Sequence, residues 1–248
     1  MRILHFLVIL GVTFLFARGN PLLFYCGATM VHPMKQIAEL YTRRYGGKVI
    51  IVQGGSGDLL RRLKALKKGD LYLPGSSEYL EKINEKDLFG YRAVIGENSL
   101  VLLVRKGNPL KIRGLEDLLR PELRVAIGAA RLGSIGRVTR EALLREKGKE
   151  FFCRIQNRAM YLVTDSRELV RMLKKGQIDV GISWKATAFF PENRSYVEAI
   201  LLPRNLSEPK KLAITVLKYS KNPEAAKRFV DLAASPEGQM IMKNNGFQ

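Results

Sequence analysis

Histidine, cysteine and tryptophan are scarce in this chain, and the scarcity removes several chemistries at once. The 248 residues hold two histidines, two cysteines and one tryptophan. His5 lies in an apolar N-terminal run, which leaves His32 as the one histidine of the body of the chain. A histidine-based metal cluster needs several imidazoles and is excluded. A Ser-His-Asp triad would rest on His32 alone, which stands beside Pro33 at a helix start, a place for capping or surface duty. With no catalytic constellation in view, the sequence gives little sign of an enzyme, and no cofactor is expected. Cys26 and Cys153 have two readings: a disulfide in an oxidising compartment, or two small buried hydrophobes, since each sits in an apolar run.

Long apolar runs are also lacking, with one exception. Ile3–Phe16 is nearly all apolar, too short for a comfortable membrane span. Met1-Arg2 gives it a positive start, and Ala17-Arg18-Gly19 puts small residues two apart after it. That is the layout of a cleaved secretory signal over residues 1–19. The expected product is soluble and located in the periplasm or otherwise outside the cytoplasm. Acidic residues are few as well: 23 Asp and Glu stand against 42 Lys and Arg, for a formal charge of +19. Such a surplus attracts anions of some kind, whether nucleic acid, an anionic membrane or a small oxyanion. The basic residues are scattered in pairs such as Arg43-Arg44, Arg61-Arg62 and Lys174-Lys175, the pattern of solvated helix faces. Export argues against nucleic acid.

What is present is alternation of strand and helix. In Lys48–Lys64, the run Val49–Val52 stops at Gly54-Gly55-Ser56-Gly57, and a helical pattern begins with Leu59, Leu60 and Leu63. Glycines let successive N–H groups point outward together, and a helix start adds unpaired amides and the positive end of its dipole. The segment reads either as a small-anion site with a Ser56 hydroxyl donor or as a plain strand-to-helix turn. No Lys-Ser/Thr follows the glycines, so it is not a Walker A loop. Elsewhere strands are predicted at Leu22–Cys26, Asp70–Leu73, Tyr91–Ile95, Ser99–Val104, Arg124–Ile127, Met160–Val163, Val180–Trp184, Val197–Leu202 and Leu212–Leu217. Gly96-Glu97-Asn98 joins the two runs on either side of it. Helices are predicted at Pro33–Tyr45, Asp58–Lys67, Ser76–Asn84, from Gly133-Ser134-Ile135-Gly136 to about Lys147, Arg167–Lys175, Pro223–Ala234 and Pro236–Asn244. The alternation implies an α/β fold with parallel sheets, and its two sets of units suggest two lobes. The runs near Ser99–Val104 and Leu212–Leu217 offer a second reading, as paired crossing strands.

The segments FYCGATMVHPM, VQGGSGDLLRRL, GDLYLPGSSEYLEKI, GENSLVLLVRKGNP, LRVAIGAARLGSIGRVTREAL and ASPEGQMIMKNNGF follow one another in an order that resembles periplasmic oxyanion receptors. The resemblance is strongest to the molybdate/tungstate-binding proteins of ABC importers, and it covers nearly all of the chain after residue 19. It implies a type II periplasmic binding protein fold, with each lobe a mixed sheet flanked by helices and the ligand in a cleft between them. The lobes would be residues 20–97 with 214–248, and residues 98–213. It also implies a monomer that hands molybdate or tungstate to a membrane permease; sulfate, phosphate or another small ligand is the alternative.

Site residues carry over one at a time. Thr29 and Ser56 stand at the family's hydroxyl positions, Ile135 and Ser166 at its backbone N–H positions, and Trp184 where many members have a tyrosine. Indole donates but cannot accept. Asp165 is either an added carboxylate ligand to the Mo or W centre or a helix cap. A site of donors alone suits an oxyanion that carries no proton. A protonated phosphate would need an acceptor such as Asp58 or Asp165.

Overall fold

The computed structural model describes residues 20–77, 80–81 and 87–248. The signal expected at 1–19 and most of the helix expected over Ser76–Asn84 lie outside them. Two five-stranded sheets organise the chain. The first takes β1 (Leu22–Gly27), β2 (Val49–Gly54), β3 (Leu71–Leu73), β4 (Phe89–Asn98) and β10 (Lys210–Leu217), in the order β2-β1-β3-β10-β4. The second takes β5 (Leu100–Arg105), β6 (Val125–Gly128), β7 (Tyr161–Val163), β8 (Val180–Trp184) and β9 (Val197–Leu201), in the order β7-β6-β8-β5-β9. The two orders match position by position. Each sheet has one strand antiparallel to its neighbours, β10 in the first and β5 in the second. The expectation of parallel sheets from strand–helix alternation therefore fails at these two strands, while the mixed sheets and two lobes are those of the binding-protein fold.

Strand β1 shows how the sequence selects its layers. Successive side chains of a strand face opposite ways. Leu22, Phe24 and Cys26 enter one core with Met34 and Ile37 of α1 (Val31–Tyr45) and Phe229 of α5 (Pro223–Ala234). Leu23 and Tyr25 turn to the other face, against Leu59 and Leu63 of α2 (Ser56–Leu66). Helix α6 (Pro236–Asn244) closes the first core through Met242. In the second lobe β5 divides likewise. Leu100, Leu102 and Val104 meet Val138 and Leu143 of α3 (Ser134–Arg158), whereas Val101 and Leu103 meet Leu169 and Leu173 of α4 (Ser166–Lys174).

Two local expectations need correction. Gly96-Glu97-Asn98, expected as the link after a strand ending at Ile95, is itself strand: β4 runs through to Asn98, because Glu97 exchanges backbone hydrogen bonds with Gln248 (2.7 and 3.0 Å) and β10 pairs alongside. Ser99–Val104 and Leu212–Leu217 do not pair with each other; β5 and β10 lie in different sheets. The helix expected to end near Lys147 does end there: Gly148, whose φ of 81° suits glycine, breaks it, and a second helical stretch then runs on to Arg158. The thiols of Cys26 and Cys153 are free, and burial pushes the Cys26 thiol pKa up.

The chain crosses between sheets at Ser99 and again between Leu201 and Lys210. Buried Asn98 fixes the first crossing: its Oδ1 accepts from the Ser99 N–H (3.0 Å) and the Ala186 N–H (3.2 Å). The lobes touch where glycine stands. A Cβ at Gly55 would lie 3.0 Å from the Leu132 carbonyl oxygen, and one at Gly75 would overlap the Ser134 hydroxyl and come within 3.6 Å of Trp184 Nε1. Gly75→Ala should therefore widen the molecule, read as a larger radius of gyration in solution scattering. Ser134→Ala on that background should restore it; a single variant as compact as the wild type would contradict the contact.

In the second lobe the Asp179 carboxylate accepts from Arg124 at the backbone N–H (2.9 Å), Nε (3.0 Å) and Nη2 (2.8 Å). The Arg124 hydrogen bond, working against burial, holds Asp179 below the usual carboxylate range. A depressed carboxylate stabilises fully above its unfolded value, about 3.9, and less as pH falls through the folded value. Asp179→Asn should cost about 2 kcal/mol at neutral pH, the scale of a hydrogen bond to a charged group. Its thermal midpoint should also fall less steeply below about pH 4 than the wild type's.

Candidate functional site

The starts of three helices and the short 3-10 turn Ala28–Met30 after β1 surround one small cavity between the lobes. Thr29, Ser56, Ile135, Asp165, Ser166 and Trp184 all line it, whereas Asp58, also considered from the sequence, does not. About 20 Å³ of it can hold the centre of a water-sized body, a little above the least that admits one water. Thr29 is 5% exposed, Ser56, Ser166 and Trp184 are 2% and Ile135 is 3%, so a guest here is out of bulk solvent. Among the described residues, Asp165 is the one ionisable side chain in the wall.

The first turns supply donors because a helix cannot satisfy its own opening amides. In α2 the first backbone bond runs from the Leu59 N–H to the Gly55 carbonyl, which leaves Ser56, Gly57 and Asp58 without an intrahelical acceptor. In α3 it runs from Arg137 to Gly133, leaving Ser134, Ile135 and Gly136. In α4 the cap divides the work. Asp165 Oδ1 accepts from the Arg167 N–H (2.8 Å) and the Glu168 N–H (3.2 Å), so the Ser166 amide is the one left over.

Side-chain partners sharpen the polarity of the cavity. Ser56 Oγ accepts from the Gly75 N–H at 3.0 Å, and the Tyr72 hydroxyl donates to the Ser56 carbonyl at 2.9 Å. With one lone pair engaged, the Ser56 hydroxyl still has its proton to give. Ser166 Oγ has no partner among the described residues. Asp165 is held from two sides, by the amides it caps and by the Arg167 guanidinium (Nη2 to Oδ2, 2.7 Å). Burial disfavours its charge, but Arg167 and the two amides prevail and keep it below the usual carboxylate range. Its oxygens are thus committed to helix and arginine. Asp58, the other acceptor considered from the sequence, pairs with Arg61 on the surface.

The structure adds residues that sequence reasoning passed over. Ser134 stands at the first position of α3, and Gly75 and Gly133 let the opposing loops approach. Ser134 had a legible signal, since it precedes Ile135 in the same Gly-Ser-Ile-Gly turn. Gly75 had none, because its importance comes from Ser134 and Trp184 across the cleft. The resulting wall offers amides, hydroxyls and an indole N–H, and it suits a small guest that only accepts hydrogen bonds.

Comparison with known proteins places the chain. A putative binding protein of Haemophilus influenzae is 27% identical over 223 residues, covering 90% of this chain and 89% of its own. The molybdate-binding protein ModA of Mycobacterium bovis is 24% identical over 230 residues, covering 90% and 82%. Among solved structures, the sulfate-binding protein SubI of Mycobacterium tuberculosis superimposes with a TM-score of 0.76 at 18% identity, covering 92% of this chain and 86% of that one. The model of one family matches residues 22–248, the whole body of the chain after its N-terminal run, and on that match this protein belongs to the bacterial extracellular solute-binding protein family.

Proposed function

We propose that this solute-binding protein captures a tetrahedral oxyanion, molybdate or tungstate, in the cavity between its lobes and delivers it to the membrane permease of an ABC importer. One observation carries the reading: unpaired amides from the first turns of α2, α3 and α4 meet at a cavity whose one ionisable side chain among the described residues is already spent on a cap. Helix starts favour a dianion through their dipoles and amides. In this reading Thr29 and Ser56 donate through hydroxyls, Ile135 and Ser166 through backbone N–H, and Trp184 through its indole. The similarity to ModA supports the choice of ion. A second reading, sulfate, draws on the likeness to the sulfate-binding SubI and on the same donor set, since sulfate too carries no proton at neutral pH.

The mechanism follows from where the donors sit. Thr29 and Ser56 belong to the first lobe, and Ile135, Ser166 and Trp184 to the second. An anion held by one set alone leaves the other unpaired, so only the closed arrangement uses both, and ligand shifts the population toward it. The positive surface raises the encounter rate with anions.

Titration calorimetry on the ligand-free chain without residues 1–19 tests this, with molybdate, tungstate, sulfate and phosphate in turn. Submicromolar binding of molybdate or tungstate, with sulfate and phosphate much weaker, is expected; tight sulfate binding selects the second reading. In the double variant Thr29→Ala and Ser56→Ala, binding should weaken by several kcal/mol, at about 1.5–3 kcal/mol per hydrogen bond to a charged group. Unchanged affinity would remove these hydroxyls from the site.

A further inference from the structure

A second chamber opens beside the cradle. It has a volume of about 520 Å³ and shares Thr29 and Ser166 with the small cavity as common wall. That volume lies within the range of about 300–1,000 Å³ typical of small-molecule sites. Both lobes build it: Lys35 comes from α1, Arg171 from α4 with Lys175 just beyond, and Thr187 and Phe190 from the segment after β8. Thr187 is 1% exposed and its hydroxyl has no partner among the described residues, as is true of the Ser166 hydroxyl in the shared wall. Phe190 and Val170 supply apolar surface.

The cations around this chamber differ in how far they are committed. Arg167 is paired with Asp165 at 2.7 Å. Lys174 donates to the Glu192 carbonyl and lies over the Tyr196 ring at 4.9 Å. Arg171 reaches Glu168 only at 4.0 Å. Lys35 and Lys175 stand on opposite lobes at the rim, and Glu192 is the acid among the lining residues.

We infer that the protein also accepts an oxyanion that is one end of a small organic molecule: a phosphate monoester bearing a second anionic group. The phosphate head would occupy the cradle and the remainder the adjoining chamber, near Lys35 and Lys175. This rests on the oxyanion reading of the cradle and extends it. Proton chemistry supports the class. Inorganic phosphate near neutral pH retains a proton that needs an acceptor, and the one carboxylate in the wall among the described residues, Asp165, is committed. A monoester loses its last phosphate proton near pH 6, and above that it presents acceptors alone to a wall of donors. A free oxyanion needs only the small cavity and makes no use of Lys35, Lys175 or the Thr187 hydroxyl.

Calorimetry at pH 8 with inorganic phosphate, glycerol 3-phosphate and phosphoglycolate, and with molybdate and sulfate as cradle-only probes, tests the inference. Phosphoglycolate should bind at least tenfold more tightly than inorganic phosphate, with glycerol 3-phosphate between them. The double variant K35A/K175A changes exposed side chains and should fold normally. It should lose about tenfold for phosphoglycolate and less than twofold for whichever cradle-only probe binds. Thr187→Val should weaken both esters and spare the cradle-only probe. Esters no tighter than inorganic phosphate, or equal losses for ester and free oxyanion in K35A/K175A, would overturn the chamber while leaving the cradle intact. Failure of every anion to bind would overturn the cradle reading, and this inference with it.

Discussion

Closing two lobes over a set of backbone amides creates an electrostatic debt that only an acceptor can settle. The opening turns of α2, α3 and α4 each bring N–H groups without intrahelical partners to the same cavity. A buried donor left unpaired costs about 1–3 kcal/mol, and several at once would oppose closure outright. The fold cannot remove these donors, because every helix has them. It can cap some, as Asp165 does for Arg167 and Glu168, and must expose the rest to water or give them a common guest. Under the proposed oxyanion reading, anion binding and lobe closure are coupled without a dedicated switch, since the groups that would recognise the ligand are those that resist closing without it.

Close approach of the loops is the second half of that coupling. Gly55 faces the Leu132 carbonyl, and Gly75 faces Ser134 and Trp184. A side chain at either place would keep the two sets of amides apart. Both faces of each sheet are packed, and Ala186 and Phe190 from the segment after β8 join the first lobe's core, while Asn98 ties the crossing at Ser99 to Ala186.

Much of this was legible in the sequence because it is local. The Gly-Gly-Ser-Gly stop after Val49–Val52, the Gly133–Gly136 turn and the Asp165-Ser166 start each announce a helix N-terminus by residue type alone. What failed was long-range. The pairing of Glu97 with Gln248 keeps β4 extended where Gly96-Glu97-Asn98 reads as a link between two strands. The helical stretch after Gly148, which has no counterpart in the elements expected from sequence, is held by burial of Ile155 in the second core. The larger chamber draws on α1, α4 and the segment after β8, and its residues carry no shared motif. The roles of Gly75 and Thr187 likewise exist only once the lobes face each other.

Net charge and recognition separate cleanly in this molecule. The chain carries a formal charge of +19, yet among the described residues no lysine or arginine lines the small cavity. A charged side chain there would hold any anion, protonated or not, and would adjust its position to do so. Fixed amides and buried hydroxyls are less forgiving. They require acceptors at set directions, and they penalise a ligand proton that finds no acceptor. In the proposed reading the surface field gathers anions of every kind, whereas the cradle discriminates by size and protonation state. Committing Asp165 to its cap and to Arg167 is what makes that discrimination possible, because a free carboxylate in the wall would welcome protonated ions that a wall of amides disfavours.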